Sequence, residues 1–300
     1  MSSLDLVLSG LMRRYIERVP NVQGIMDAMM AEGMIHSPGQ IENDHIAFRT
    51  MGVPNLGLAS FEKIFLAYGY EKRDSYNFAE KKLSAYWYAP PAARAADNLP
   101  RIFASELRVN ELSTSAQDII HKYTDTVDKD PVDALDLTDG AAVDQFLHQP
   151  LWATPTLAEY QTLLAESEYA AWVIYNRYYL NHFTISVHNL PDGYNTIDEF
   201  VRFLQARGFK LNSSGGVIKV SPDGGLRQAS TVAQMVDATF AGGETHRIAG
   251  SYVEFAERRV LPQFAHLPTR QLTRAHRREG FEAANADKIF ESTFVAQTGL

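Results

Sequence analysis

Two stretches of this chain of 300 residues repeat one pattern, and any fold must accommodate both copies. The first copy opens on a strand-like segment, Asn43-Asp44-His45-Ile46-Ala47-Phe48-Arg49. A turn-rich gap, Gly52-Val53-Pro54-Asn55, and an amphipathic run over 58–70 follow. The second opens on Asn181-His182-Phe183-Thr184-Ile185-Ser186. It continues through Pro191-Asp192-Gly193 into an amphipathic run over 196–209. Apolar residues recur at helical spacing in both runs: Phe61, Ile64, Phe65 and Tyr68, then Phe200, Phe203 and Leu204. Both runs end alike, in Ala67-Tyr68-Gly69-Tyr70 and Ala206-Arg207-Gly208-Phe209. A glycine just past a helix suits the left-handed C-cap, and the aromatic after it can start a strand. Strand candidates follow at 70–78, 83–89 and 102–109 in the first copy. In the second they lie at 209–211, at 217–220 with 232–240, and at 252–258.

Each copy therefore reads as β-α-β-β-β, with a glutamate on its last strand: Glu106 in the first and Glu254 in the second. The predicted fold class is α+β, two such modules forming a curved sheet. Each module alone leaves one sheet face uncovered, so the pair reads as a single functional domain over 1–300. Its parts are module 1 at 41–112, a helical insertion at 113–170, module 2 at 171–259 and a C-terminal cap at 260–300. Extra helices are expected over 4–32, broken near Pro20 and stopped at Gly33, and over 115–123, 141–147 and 156–167. Thr156 and Glu159 have the spacing of a capping box. The acidic stretch 125–139 reads as a solvated loop.

Composition removes several function classes. The net charge of −8 argues against a nucleic-acid surface, and the one basic cluster, Arg274-Ala275-His276-Arg277-Arg278, reads as the solvated face of a C-terminal helix. With no cysteine, thiolate catalysis, iron–sulfur clusters and disulfides are excluded. No glycine-rich nucleotide loop is present. No apolar run approaches the length of a membrane span. Residues 1–13 lack a signal-peptide pattern, since Asp5 interrupts them. With the missing cysteines, this sets the expectation of a cytoplasmic protein. Oligomeric state has no signal in the sequence.

The chemistry-bearing residues sit at matched places in the copies. His45 and His182 open the two first strands, and Glu254 lies on the last strand among Tyr252, Val253 and Phe255. A bare carboxylate in that apolar setting is costly without a cation or partner. Glu257, three residues on, falls on the opposite face and precedes Arg258-Arg259, so it reads as solvated. Two histidines and one carboxylate are the ligand set of a mononuclear non-haem Fe(II) site. Arg49 shares the strand face of His45, roughly 13 Å away at the Cα atoms for a rise of ~3.3 Å per residue. A metal at His45 and the Arg49 guanidinium together frame a short dicarboxylate. His188 lies roughly 20 Å along the strand from His182 by the same rise and is set aside. The remaining histidines (His36, His121, His148, His246, His266 and His276) read as surface residues.

The segments His45-x-x-x-Arg49, Asn181-His182-Phe183-Thr184 and Gly250-Ser251-Tyr252-Val253-Glu254 also carry a resemblance, with Gln228-Ala229-Ser230-Thr231-Val232-Ala233. Over 34–262 the chain resembles the vicinal oxygen chelate superfamily. Within it, the chain is similar to the 2-oxoadipate dioxygenase/decarboxylase, or hydroxyglutarate synthase, family. That resemblance implies Fe(II) at His45, His182 and Glu254, with Zn or Ni able to replace iron in a purified sample. It implies a 2-oxo dicarboxylic acid and dioxygen as reactants. The reaction implied is 2-oxoadipate to 2-hydroxyglutarate plus CO2, with a place in lysine catabolism. Arg49 would pair with a substrate carboxylate. Two other readings stay open on the residues alone. One is a metal-dependent, glyoxalase-like isomerase or lyase with Glu106 as a fourth ligand. The other is a non-catalytic binding module of the same fold.

Overall fold

The structure, a computed structural model, describes residues 2–299; the two terminal residues of the single-domain reading lie outside it. Helices α1 (Ser3–Arg18) and α2 (Pro20–Ala31) precede the first module. That module is β1 (Asn43–Met51), α3 (Leu58–Ala67), β2 (Glu71–Phe78), β3 (Leu83–Ala89) and β4 (Arg101–Leu107). Helices α4 (Thr114–Thr124), α5 (Gly140–His148), α6 (Leu157–Glu166) and α7 (Glu168–Asn176) separate it from the second. The second comprises β5 (His182–Ser186), α8 (Ile197–Ala206), β6 (Lys219–Val220) and β7 (Leu226–Ser230). After β7 come β8 (Met235–Thr239), β9 (Thr245–Ala249) and β10 (Tyr252–Arg258). Short helices α9 (Ala283–Phe290) and α10 (Val295–Thr298) end the described chain.

Eight strands form one curled sheet in the order β2-β3-β4-β1-β5-β10-β7-β6. The order reads the same from either edge once the copies are exchanged. In each half the first and last strands run parallel, β1 with β4 and β5 with β10, and the halves join through the antiparallel β1–β5 seam. The shared helix ends behave as their glycines require. Gly69 and Gly208 take φ of 85° and 81°. Tyr70 N–H reaches back to Phe65 O and Phe209 N–H to Leu204 O, both at 3.1 Å, closing the same left-handed cap twice. Side chains alternate across the sheet. Ile46, Phe48, Phe183, Ile185, Val253 and Phe255 pack with α1, α2, α3 and α8 into one core. The other face turns His45, Ala47, Arg49, Phe103, His182 and Glu254 into a concave interior.

Register corrects the pairing of the two late glutamates. His45 stands opposite Arg101 on β4, and His182 stands opposite Tyr252 on β10. Counting from these partners, the mate of Glu254 is Phe103, and the mate of Glu106 is Glu257. Both members of the second pair do one job. Glu106 accepts the Leu58 N–H at the start of α3 (2.5 Å), and Glu257 accepts the Ile197 N–H at the start of α8 (2.8 Å). A carboxylate there satisfies an orphan donor and meets the positive end of the helix. Glu257 is buried, contrary to the expectation of a solvated side chain. Glu106→Ala is therefore expected to cost about 1 kcal/mol, the usual scale for a lost cap. It should not change metal uptake. A drop in bound metal alongside intact folding would restore Glu106 as a ligand.

Other expectations shift. The third strand of the second module is β7, not 232–240; residues 235–239 instead form a separate hairpin with β9. Position 211 contributes one isolated bridge, to Thr231, in place of a strand. Residues 168–176 form one helix, α7, across the expected start of the second module. The basic cluster 274–278 forms only a three-residue 3-10 turn at Arg274–His276, not the solvated face of an α-helix. Arg274, Arg277 and Arg278 spend their guanidinium groups on backbone carbonyls of Leu99, Arg258, Glu279 and Phe281. The box at Thr156 and Glu159 is present.

Candidate metal centre and substrate cavity

His45 on β1, His182 on β5 and Glu254 on β10 come together at the seam of the sheet. Each can offer one donor atom, all within 4.8 Å of one another, and all three residues are buried. The His45 Nε2 lies 3.3 Å from the His182 Nε2. Glu254 sets Oε2 at 3.0 Å from the His182 Nε2 and Oε1 at 3.5 Å from the His45 Nε2. The far side of each imidazole is spoken for: His45 Nδ1 by the Asp44 carboxylate at 2.9 Å, His182 Nδ1 by the Asn181 Oδ1 at 3.1 Å. Both partners are acceptors, so Nδ1 carries the proton and the Nε2 lone pairs face each other and the carboxylate. Two lone pairs and a carboxylate converging in a buried site repel unless a proton or a metal cation joins them, and the Thr184 Oγ1 lies 3.1 Å from the His45 Nε2. The donor set, two imidazole nitrogens and one carboxylate oxygen, fits a first-row metal ion.

The same position in the two copies supports its histidine differently, by a charged Asp44 and a neutral Asn181. The register of β1 against β5 breaks between Asn43 and Ile46, across His45, as at a bulge. Asp44 is held by Arg258 (Nε to Oδ1, 2.7 Å; Nη2 to Oδ2, 2.9 Å) and by the Arg101 Nη1 (3.1 Å to Oδ1). Burial opposes its ionisation, but Arg258 and Arg101 outweigh burial and hold the carboxyl well below its usual range. Burial likewise opposes the charge of Glu254, and the facing histidines overcome it and keep Glu254 ionised. Burial pushes His182 below the ordinary imidazole value. It pushes His45 the same way, but Glu254 and Asp44 prevail and raise it.

Arg49 lines the same cavity and is 1% exposed. Its Nη1 donates to the Thr293 Oγ1 and its Nη2 to the Phe290 carbonyl, each at 3.0 Å. The rings of Tyr169, Trp172 and Phe290 surround it. Among the described residues no carboxylate lies within salt-bridge distance of it, Glu168 acts on it from farther away, and its Nε has no partner. Two more buried polar atoms of the cavity lack a well-formed hydrogen bond, the Tyr252 Oη, which faces Arg49 and Ser292, and the Asn181 Nδ2. Such atoms are costly when left unmade and mark where a polar ligand fits. Tyr252 and Asn181 were visible in the sequence only as neighbours of the metal-type residues. Helix α9 lies against both edge strands, β2 and β6, and roofs the cavity with Ala286, Ile289 and Phe290, joined by Phe281. The free interior is about 20 Å³, room for one water. A ligand of several heavy atoms would therefore enter only with a shift of the roof or its side chains.

The structure keeps the set-aside residues away. Glu106 lines a different surface cleft, with Gly57, Ser60 and Lys63. The His188 Nδ1 accepts the Arg258 N–H at 3.2 Å, beside another cleft lined by Arg274 and Arg277. His148 is not a surface residue: its side chain is 3% exposed and bonds Asp144. Among the described residues no helix is long and apolar enough to cross a membrane.

A paired β-α-β-β-β sheet with a buried two-histidine, one-carboxylate cluster at its seam is a scaffold that could hold a metal ion. A sequence profile described as 2-oxoadipate dioxygenase/decarboxylase matches residues 7–269. The chain belongs to this family. It is 44% identical over 290 residues to the chloroplastic 2-oxoadipate dioxygenase/decarboxylase of Arabidopsis thaliana, covering 94% of this chain and 75% of the relative. It is 45% identical over 294 residues to the chloroplastic/amyloplastic enzyme of Oryza sativa subsp. japonica, covering 96% and 78%. The crystal structure of hydroxyglutarate synthase from Oryza sativa in complex with 2-oxoadipate superposes with a TM-score of 0.88 at 43% identity. That match covers 98% of this chain and 93% of the other. The expectation of a cytoplasmic protein is corrected here, because both curated relatives carry plastid locations in their names. Reading location from missing cysteines failed because cysteine usage reports redox conditions, not an address.

Proposed function

We propose that this chain is an Fe(II)-dependent dioxygenase/decarboxylase that converts 2-oxoadipate and dioxygen to 2-hydroxyglutarate and CO2. The reading joins the family membership to one structural observation: a buried guanidinium with no carboxylate within salt-bridge distance among the described residues, in the same cavity as a His-His-Glu cluster. In this proposal His45, His182 and Glu254 hold the metal. Bound there, iron supplies a Lewis acid and a redox partner for a chelating 2-oxo acid and dioxygen. Placement in lysine catabolism rests on that substrate alone. Module 1 brings His45 and module 2 brings His182 and Glu254, so the two modules act as a single functional domain.

The chain's own groups position and enclose the substrate. Arg49, with His45 on the same strand face, frames the diacid. The guanidinium takes a carboxylate in a two-point contact. The Tyr252 Oη and the Asn181 Nδ2 are free to hydrogen-bond its oxygens. Phe103, Phe281, Ile289 and Phe290 exclude water from the reacting end. Phe103 stands where a fourth ligand would need a carboxylate, which argues against the four-ligand isomerase arrangement.

The test is oxygen consumption by Fe(II)-loaded protein with 2-oxoadipate, alongside product analysis. One dioxygen consumed should yield one CO2 and one 2-hydroxyglutarate. Loaded protein that consumes no oxygen with any 2-oxo diacid overturns the proposal.

A further inference from the structure

Gln228 on β7 is buried, and its Nε2 donates to the Glu254 Oε1 at 2.6 Å. A carboxylate only accepts, so the amide must face Glu254 with its NH2 end. The other end of the amide is fixed too. The Asn285 Nδ2, on α9, donates to the Gln228 Oε1 at 3.0 Å and lies 3.4 Å from the Leu226 carbonyl. Asn285 is buried and is not among the cavity-lining residues, so it does not touch a substrate there. The two carboxylate oxygens are therefore unlike: Oε1 accepts the amide at 2.6 Å and lies 3.5 Å from the His45 Nε2, whereas Oε2 lies 3.0 Å from the His182 Nε2.

We propose that Gln228, oriented by Asn285, is a positioning residue that makes Glu254 a one-oxygen ligand. This rests on the metal-site reading proposed above and goes beyond it. Held by three protein donors, one atom each, a metal ion would keep places for both oxygens of a 2-oxo acid and for dioxygen. A carboxylate free to use both oxygens would take one of those places. The Gln228–Asn285 link also ties this choice to α9, the roof of the cavity, so displacement of the roof loosens the amide that holds Glu254 to one oxygen.

The test uses Gln228→Leu and Asn285→Ala, each prepared as apoprotein and loaded with Co(II), whose visible absorption reports ligand number. Both variants should still take up one cobalt per chain. Without substrate, their spectra should move toward higher coordination, with weaker absorption than the parent. With Fe(II) under anaerobic conditions, 2-oxoadipate should bind more weakly. In air, kcat/KM should fall roughly 10–100-fold, the usual scale for groups that orient a ligand. If Gln228→Leu does not fold, Asn285→Ala carries the same readout from outside the cavity. Substrate-free spectra identical to the parent's would overturn the inference, even with a raised KM, because Gln228 would then be a substrate contact only. A parent protein that takes up no cobalt brings down the metal-site reading itself, and this inference with it.

Discussion

Glu254→Ala is expected to yield a folded protein that takes up no metal under conditions that load the parent. The carboxylate is 1% exposed and faces both histidines, so its removal leaves two imidazole nitrogens 3.3 Å apart with no anion to balance a dication. Changes around a ligand cost about 10–100-fold in affinity or activity, and loss of the ligand itself should exceed about 100-fold. Metal per chain after loading and desalting is the first readout. The second is thermal: a metal that binds only the folded state raises the parent's melting temperature, and the variant should show no such rise. His45→Ala and His182→Ala should behave alike. A Glu254→Ala protein that retains stoichiometric metal would remove Glu254 from the site and leave its burial unexplained.

The parts of this site that the sequence reveals are those that repeat. His45 and His182 stand at the same point of two copies, and strand alternation places Arg49 beside the first, so the cavity's polar floor follows from period two. The copies also share their Ala-x-Gly-aromatic helix ends, which the structure closes with the same hydrogen bonds. What could not be read is whatever depends on register between strands distant in sequence. Glu106 and Glu254 look like mates because each lies on a last strand, yet pairing with β1 and β5 offsets them by three residues. Glu257 reads as solvated beside two arginines, but the first turn of α8, sixty residues earlier, needs its carboxylate. β7 was hidden because only Leu226 and Ala229 of Leu226–Ser230 are apolar, whereas Met235–Thr239, equally five residues long, carries Met235, Val236 and Ala238 and uses them in a side hairpin. The C-terminal segment was the least legible. Its helix α9 has only eight residues, and its roles in roofing the cavity, holding Arg49 and orienting Gln228 all come from tertiary contacts.

Arg49→Lys is expected to weaken substrate binding while leaving metal uptake unchanged. Arg49 is buried among aromatic rings with no carboxylate partner among the described residues, and burial pulls its pKa below the ordinary guanidinium value. Glu168 acts on it only from beyond salt-bridge distance, so folding leaves it without a contacting counter-ion, which an incoming substrate carboxylate would supply. Lysine keeps the charge but offers one point of contact in place of a planar fork, and it is more strongly hydrated. The loss should be about 1–3 kcal/mol, the range for a charge-assisted contact. At about 1.4 kcal/mol per decade, that is roughly a 5–150-fold rise in the dissociation constant. Lysine also cannot reach both the Thr293 Oγ1 and the Phe290 carbonyl as the guanidinium does, so part of the effect could come from a looser roof. Two measurements separate the causes. Anaerobic titration of the Fe(II)-loaded variant with 2-oxoadipate, and with a 2-oxo monoacid of equal length, isolates the carboxylate contact, because a loosened roof would weaken both ligands equally. Arg49 as the carboxylate partner requires that the diacid lose its advantage over the monoacid in the variant. A variant that saturates with 2-oxoadipate at the parent's concentration shows that Arg49 does not hold the substrate, and the buried guanidinium must then serve α9 alone.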